Sequence, residues 1–223
     1  IESQNFLTQL DQLGVANLSV ENTLNYALLR LDLENNIKAA SHGGKYLIMN
    51  NRSGPHLTLT NMVSRLPFFK REDYQSYVAR LDLMPAYLAK ATARIQVGLN
   101  AGWVQACEPM NGFEQSIETH LVKDVKDSVF MTPFVKKPSV INDRDFAIDK
   151  KAAETIITKK ILPALSQFKE FYVNQYAPKC RAKVGIDQLP GGDAYYDYLV
   201  AYYTTTDVSA DQVHKTGLSE VAR

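Results

Sequence analysis

An all-α fold is predicted by three features of the sequence. Apolar residues recur at three- and four-residue spacing along most of the chain, good helix caps stand at the ends of those stretches, and no run alternates apolar and polar residues as a half-buried strand does. An irregular array of about seven to nine helices with no significant sheet fits this pattern.

The first helix carries Phe6, Leu7, Leu10 and Leu13 on one face and stops at Gly14. Ser19 is a good N-cap for a second helix, whose stripe is Leu24, Ala27, Leu28 and Leu31 and which ends before His42-Gly43-Gly44. From Lys45 to Thr60 there is no helical period, and Asn50, Asn51, Ser53, Gly54 and Pro55 are turn formers. This stretch reads as a structured loop, either functional or a long surface connection. Its run Tyr46-Leu47-Ile48-Met49 is strand-like but short and has no partner run. A helix over Glu72–Leu83 follows, with Tyr74, Tyr77, Val78 and Leu81 along one side. Pro85 then takes a first-turn position in the next helix, which carries Leu88, Ala91, Ile95 and Leu99 to near Gly102. A short helix is expected over 112–123, and a loop with one helical turn over 124–140. Asn142 caps the longest helix, through about Tyr176, and Pro163 should kink or split it. The turn Leu189-Pro190-Gly191-Gly192 leads to a tyrosine-rich helix. Ser209-Ala210-Asp211-Gln212 opens the last helix with a capping box, in which Ser and Gln satisfy each other's orphan amides.

Size and charge narrow the function. The 223 residues suit a single helical domain or the N-terminal lobe of a larger protein. With 25 basic and 24 acidic residues the net charge is +1, which leaves no electrostatic footprint for nucleic acid. No stretch approaches the ~20 apolar residues of a membrane span. Ile1 in place of an initiator Met implies an end that is either processed or artificially chosen, with which a targeting segment would have been removed. The last helix meets Arg223 without a stop signal, so the native protein is expected to continue.

No catalytic or metal-binding motif is present. His42, His56, His120 and His214 include no pair at the i, i+4 spacing of a zincin helix and no HExxH. There is no GxSxG elbow, and Ser53 near His56 is a sequence neighbour rather than a catalytic pairing. Gly191 and Gly192 lack the Lys-Ser/Thr of a phosphate loop and are better read as a sharp turn with close backbone approach. Tyr195, Tyr198 and Tyr202 share one helix face, and Tyr196 and Tyr203 another. Two readings of this set stay open, a packed core or a groove whose hydroxyls hold peptide groups. The candidate groove-lining residues are Asn51, Arg52, Ser53, His56, Tyr195, Tyr196 and Tyr202. Cys107 and Cys180 both lie in loop-like sequence and are either two buried thiols or a disulfide.

The run LPGGDAYYDYLVAYYTTTDVSADQVHKTGLSEVAR, Leu189 to Arg223, resembles a bacterial family known as domain of unknown function 885. LNYALLRLDLENNIKAA, YLIMNNRSGPHLTLTNMVSRLPFF and EDYQSYVARLDLMPAYL resemble its N-terminal half in order and spacing, so the resemblance spans nearly the whole chain. It implies a long, mostly helical protein similar to gluzincin metallopeptidases, whose zinc motif of the HExxPGHxxQ type lies downstream of GLSEVAR. No position here matches that motif, so no catalytic residue and no metal ligand is assigned and no cofactor is expected in this chain. Zinc is expected only in the C-terminal part. The implied function is the N-terminal helical scaffold of an exported zinc-metallopeptidase-like lipoprotein, inactive by itself. The alternative is a non-catalytic helical binding or interaction module. The copy with Cys107 and Cys180 resembles members described provisionally as lipoproteins of Gram-negative bacteria. That implies a cell-envelope location, periplasmic or lipid-anchored through a removed N-terminus. The implied partners are the C-terminal catalytic half, a peptide substrate of the complete protein, and a second copy of this chain across the surface that the missing half would cover.

Overall fold

The computed structural model describes residues 2–223, and among them nine α-helices and several short 3₁₀ and π turns form the fold. No sheet is present among the described residues. Two isolated bridges, Asn50 with Ser53 and Ala106 with Arg181, are the only strand-like pairings there. The chain divides into two compact units, one from Tyr46 to Val184 and the other from the segments up to Lys45 and from Gly185 onward.

The central unit is organised by α4 (Arg71–Asn100), with α3 (Pro55–Val63), α5 (Phe113–Glu118), α6 (Asp143–Ile156) and α7 (Leu162–Phe171). The expected pair of helices over 72–102 is one continuous helix of 30 residues, with Pro85 in its interior. An interior proline costs about 3 kcal/mol. The buried stripe Tyr74, Tyr77, Leu81, Met84, Leu88, Ala91, Ile95 and Leu99 runs through that position without a break. Burying each large side chain contributes about 1.5–3 kcal/mol, so the stripe outweighs the proline. The expected loop over 45–60 is also corrected. Pro55 starts α3 at a first-turn position behind Gly54, and Pro55, His56, Leu59 and Thr60 are buried. The loop over 124–140 carries two 3₁₀ turns, Val125–Asp127 and Val129–Phe134, which bury Phe130, Met131 and Phe134.

Asn142 caps α6 by accepting from the Asp145 amide at 2.8 Å. The helix then neither breaks nor stops at Pro163. It widens into a π turn at Ile157–Ile161, resumes as α7, and widens again at Tyr172–Tyr176. The first wide turn lies just ahead of Pro163, where the missing amide would otherwise have completed the α-helical ladder. It also has a packing consequence. The buried positions Asp149, Ala153, Ile157, Ile161 and Leu165 are spaced by fours. In an α-helix each four-residue step rotates the stripe by about 40°, and the wide turn takes up that drift and keeps the stripe facing α4.

Four tyrosines bind this core to its loops. The Tyr77 hydroxyl donates to the Phe130 carbonyl at 2.8 Å and Tyr74 to Pro133 at 3.1 Å. Tyr172 donates to Met110 at 3.3 Å, and Tyr176 accepts from the Gln105 amide at 2.9 Å. A disulfide joins Cys107 to Cys180, with Cα atoms 4.9 Å apart. Beside it Arg181 donates its backbone amide to Gln105 and its Nε to Val104, and accepts from the Cys107 amide.

The second unit contains α1 (Glu2–Leu13), α2 (Val20–Ser41), α8 (Gly192–Thr204) and α9 (Ala210–Ala222). The caps are as the residues predict: Ser19 accepts from Asn22, Gly14 adopts a φ of 63°, and Ser209 with Gln212 forms a capping box. Gly191 is left-handed at φ 67°, and Gly192 packs against the Ile186 carbonyl so closely that a Cβ would collide with backbone. The expected inward stripe of α2 is reversed, because Leu24, Leu28 and Leu31 are 60%, 56% and 44% exposed. The face turned inward instead carries Tyr26, Arg30, Leu33 and Ile37, and Arg30 reaches Asp11 of α1.

Two outcomes follow from this packing. Tyr77→Phe leaves the buried Phe130 carbonyl unsatisfied and should destabilise the chain by about 1–3 kcal/mol in urea unfolding. Replacing Cys107 and Cys180 by serine opens a loop of 73 residues, and chain entropy predicts a loss of about 4 kcal/mol. Thiol titration of the denatured, unreduced chain should find no free thiol.

Candidate functional site

The candidate residues from the Asn50 loop part company in the structure. Asn50 closes a tight turn, its Oδ1 accepting from the amides of Arg52 at 2.8 Å and Ser53 at 3.0 Å. That turn holds Asn51, Arg52 and Ser53 outward in solvent. His56, on the first turn of α3, points the other way and is fully buried. His56 therefore lines no open groove, a correction whose cause is the helical start at Pro55.

His56 packs edge-on against Phe113, with ring centroids 5.2 Å apart, and also meets Phe168 and His120. Its Nε2 lies 2.9 Å from Ser116 Oγ. The Ser116 hydroxyl donates to the Phe113 carbonyl at 2.6 Å, so Nε2 carries the hydrogen and donates to Ser116. That tautomer leaves Nδ1 bare, and it has no hydrogen-bond partner. Burial, with the neighbouring His120 adding to it, pushes His56 down to about 4. Burial also lowers His120. A histidine that stays neutral, with its serine donating elsewhere and no access to solvent, is a core pairing and not a nucleophile with its base. Among the described residues no three His, Cys, Asp or Glu side chains are grouped to hold a metal ion.

The tyrosines of α8 divide by face. Tyr195 and Tyr198 are half-buried and pack against His42, Tyr198 stacked with centroids 5.0 Å away and Tyr195 tilted at 5.5 Å. The Tyr198 hydroxyl donates to the Asn35 carbonyl at 3.4 Å, and burial raises both phenols above their ordinary range. Tyr202 continues that row and is exposed, at 6.0 Å from Tyr198. Tyr196, on the other face, lines a cavity of about 570 Å³ together with Asp187, Asp193, Asp197 and Asp211.

Sequence reasoning missed a groove between α3 and α4. One cavity of about 550 Å³ is lined by Leu59, Met62, Leu83 and Met84, with Arg65 and Arg80 at its edge. A second, of about 260 Å³, shares Thr58 and Tyr87 with it and carries Lys90 and Arg94. The available signal was the spacing Arg80, Leu83, Tyr87, Lys90, Arg94, a single helical face that mixes cations with apolar residues. Splitting the helix at Pro85 hid it.

Residues 2–223 match the family described as "Bacterial protein of unknown function (DUF885)". No curated protein matches the chain. A solved structure of a protein from Colwellia psychrerythraea, described provisionally as a lipoprotein, superposes with a TM-score of 0.83 at 15% identity. The superposition takes in 100% of this chain and 40% of that one. At that identity the likeness establishes the fold, and the chain spans less than half the length of the protein it matches.

The buried histidine sets a pH dependence. Between pH 6.5 and 4 the unfolded chain takes up a proton that folded His56 refuses, so stability is fully present above pH 6.5 and falls as pH drops through that window, by up to about 3 kcal/mol. His56→Gln should lose about 2 kcal/mol less than the parent between pH 7 and pH 5 in urea unfolding. Equal losses would show that His56 titrates normally.

Proposed function

We propose that this chain, which belongs to the domain of unknown function 885 family of bacterial proteins, is the helical scaffold of an exported, zinc-metallopeptidase-like envelope lipoprotein. The zinc belongs, in this reading, to a further part of the protein that packs on the scaffold.

The observation that carries the scaffold role is the apolar surface left uncovered. On α2, Val20, Leu24, Leu28 and Leu31 are exposed, and α9 buries no residue while presenting Leu218 and Val221 at 59% and 89% exposure. Single exposed leucines are ordinary, but rows of them along helices mark surfaces that are covered in the assembled protein. The length relation to the Colwellia psychrerythraea protein supports a covering segment from the same polypeptide. Export is supported by the Cys107–Cys180 bridge, since disulfides persist in oxidising compartments. No helix among the described residues is long and apolar enough to cross a membrane. In the complete protein zinc would polarise a peptide carbonyl and lower the pKa of its bound water. This chain would contribute walls to the substrate cavity. The exposed rows are also where two copies of the isolated chain would associate.

A second reading, a non-catalytic binding module, is favoured by the groove between α3 and α4, which combines an apolar floor with a few polar and basic side chains as ligand sites do.

Metal content and hydrogen exchange test the first reading together. The chain alone should hold no stoichiometric zinc after dialysis, and a complete protein should hold one ion per polypeptide. Amides of α2 and α9 should exchange several-fold more slowly in the complete protein than in this chain. Tightly held zinc in the chain alone, or unchanged exchange on α2 and α9, would overturn it.

A further inference from the structure

We propose that the groove between α3 and α4 binds an extended acidic peptide segment. The proposal requires neither zinc nor export and stands apart from the peptidase reading.

Charge is the first argument. Arg65, Arg80, Lys90 and Arg94 line the two adjoining cavities, and no Asp or Glu lines either of them. None of the four is among the ion pairs of the described residues. The chain as a whole is nearly neutral at +1, so four cations without a counter-charge in one groove are a local excess. An anionic occupant would meet them without having to displace an existing carboxylate, and the rim position keeps the guanidinium and ammonium groups hydrated until it arrives.

Shape and spacing narrow the anion to a peptide. The cations stand at both ends, Arg65 and Arg80 at one and Lys90 and Arg94 at the other, with Tyr87 and an apolar floor between. From Arg80 to Arg94 is 14 residues of α4, a rise of about 21 Å. An extended chain covers that distance in about six residues. A segment with acidic side chains at each end and apolar side chains in the middle satisfies both the charges and the floor. A fatty acid carries its single carboxylate at one end and would leave the other pair of cations idle. A nucleic acid carries charge evenly along its length and would leave Met62 and Leu83 against phosphate.

Fluorescence polarisation on the full chain tests this. The probe is a labelled hexapeptide with acidic residues at both ends and leucine and phenylalanine between them. Saturable binding is expected, weakening at least tenfold between 50 and 300 mM salt. Arg80→Glu and Arg94→Glu should each weaken it at least tenfold. Both positions are exposed, and helix content by circular dichroism confirms that each variant is folded. Reversal of the exposed Lys215 on α9 should leave binding unchanged. Absence of saturable binding would overturn the proposal, as would binding by both groove variants as tight as that of the parent chain. Capture of oleate or of anionic vesicles in preference to the peptide would overturn it in favour of a lipid ligand.

Discussion

The central unit depends on tyrosine hydroxyls meeting loop backbone inside the core. Tyr74 and Tyr77 project from α4 into the 3₁₀ segment around Phe130 and Pro133, and Tyr172 and Tyr176 reach Met110 and Gln105 from the end of the long bent helix. Each ring supplies apolar packing and each hydroxyl satisfies one main-chain group, fully buried at Phe130 and Met110 and partly buried at Pro133 and Gln105. Phenylalanine would fill the same volume and leave the main-chain group orphaned. This explains how the irregular stretches between α4 and α6 are buried at all. Burial raises the Tyr77 hydroxyl well above its ordinary range, which favours its protonated, hydrogen-bond-donating form.

Local signals in the sequence were legible where the physics is local. Ser19, Asn142 and the Ser209–Gln212 box cap helices through contacts within four residues, and they do so in the structure. Gly191 is left-handed in a turn that its own residue type announces. Proline was harder to read, because its effect is decided by tertiary burial. Pro55 begins a helix, Pro85 rides inside one and Pro163 follows a wide turn. The direction of the α2 stripe was misjudged because periodicity identifies a helix without saying which of two semi-apolar faces meets a neighbour. Its leucines, outward here, are chemically identical to core leucines.

The candidate site was less legible than the fold. His56 looked available beside Asn51, Arg52 and Ser53 because all four fall in one stretch of turn formers, yet a single helical start buries one and exposes the others. Its hydrogen-bond partner, Ser116, lies 60 residues away and no local pattern could supply it. The groove cations are closer in sequence, but they become a set only once α4 is known to be unbroken. The surface features that stand out are uncovered apolar rows on one unit and a basic, apolar-floored groove on the other.

The two wide turns in the helix that begins at Asp143 have a bearing on tolerance to insertion and deletion. Each holds a surplus residue relative to regular winding. Removing one residue from 157–161 would restore regular winding there and leave every later side chain close to its present direction, whereas the same deletion in the regular turns of α6 would swing them by about 100° around the axis. That second deletion would turn Leu165, Phe168 and Tyr172 out of the interior and carry Cys180 away from its sulfur partner. A change of one residue is thus absorbed where the surplus is stored and is felt by every later side chain when it falls in the turns beside it.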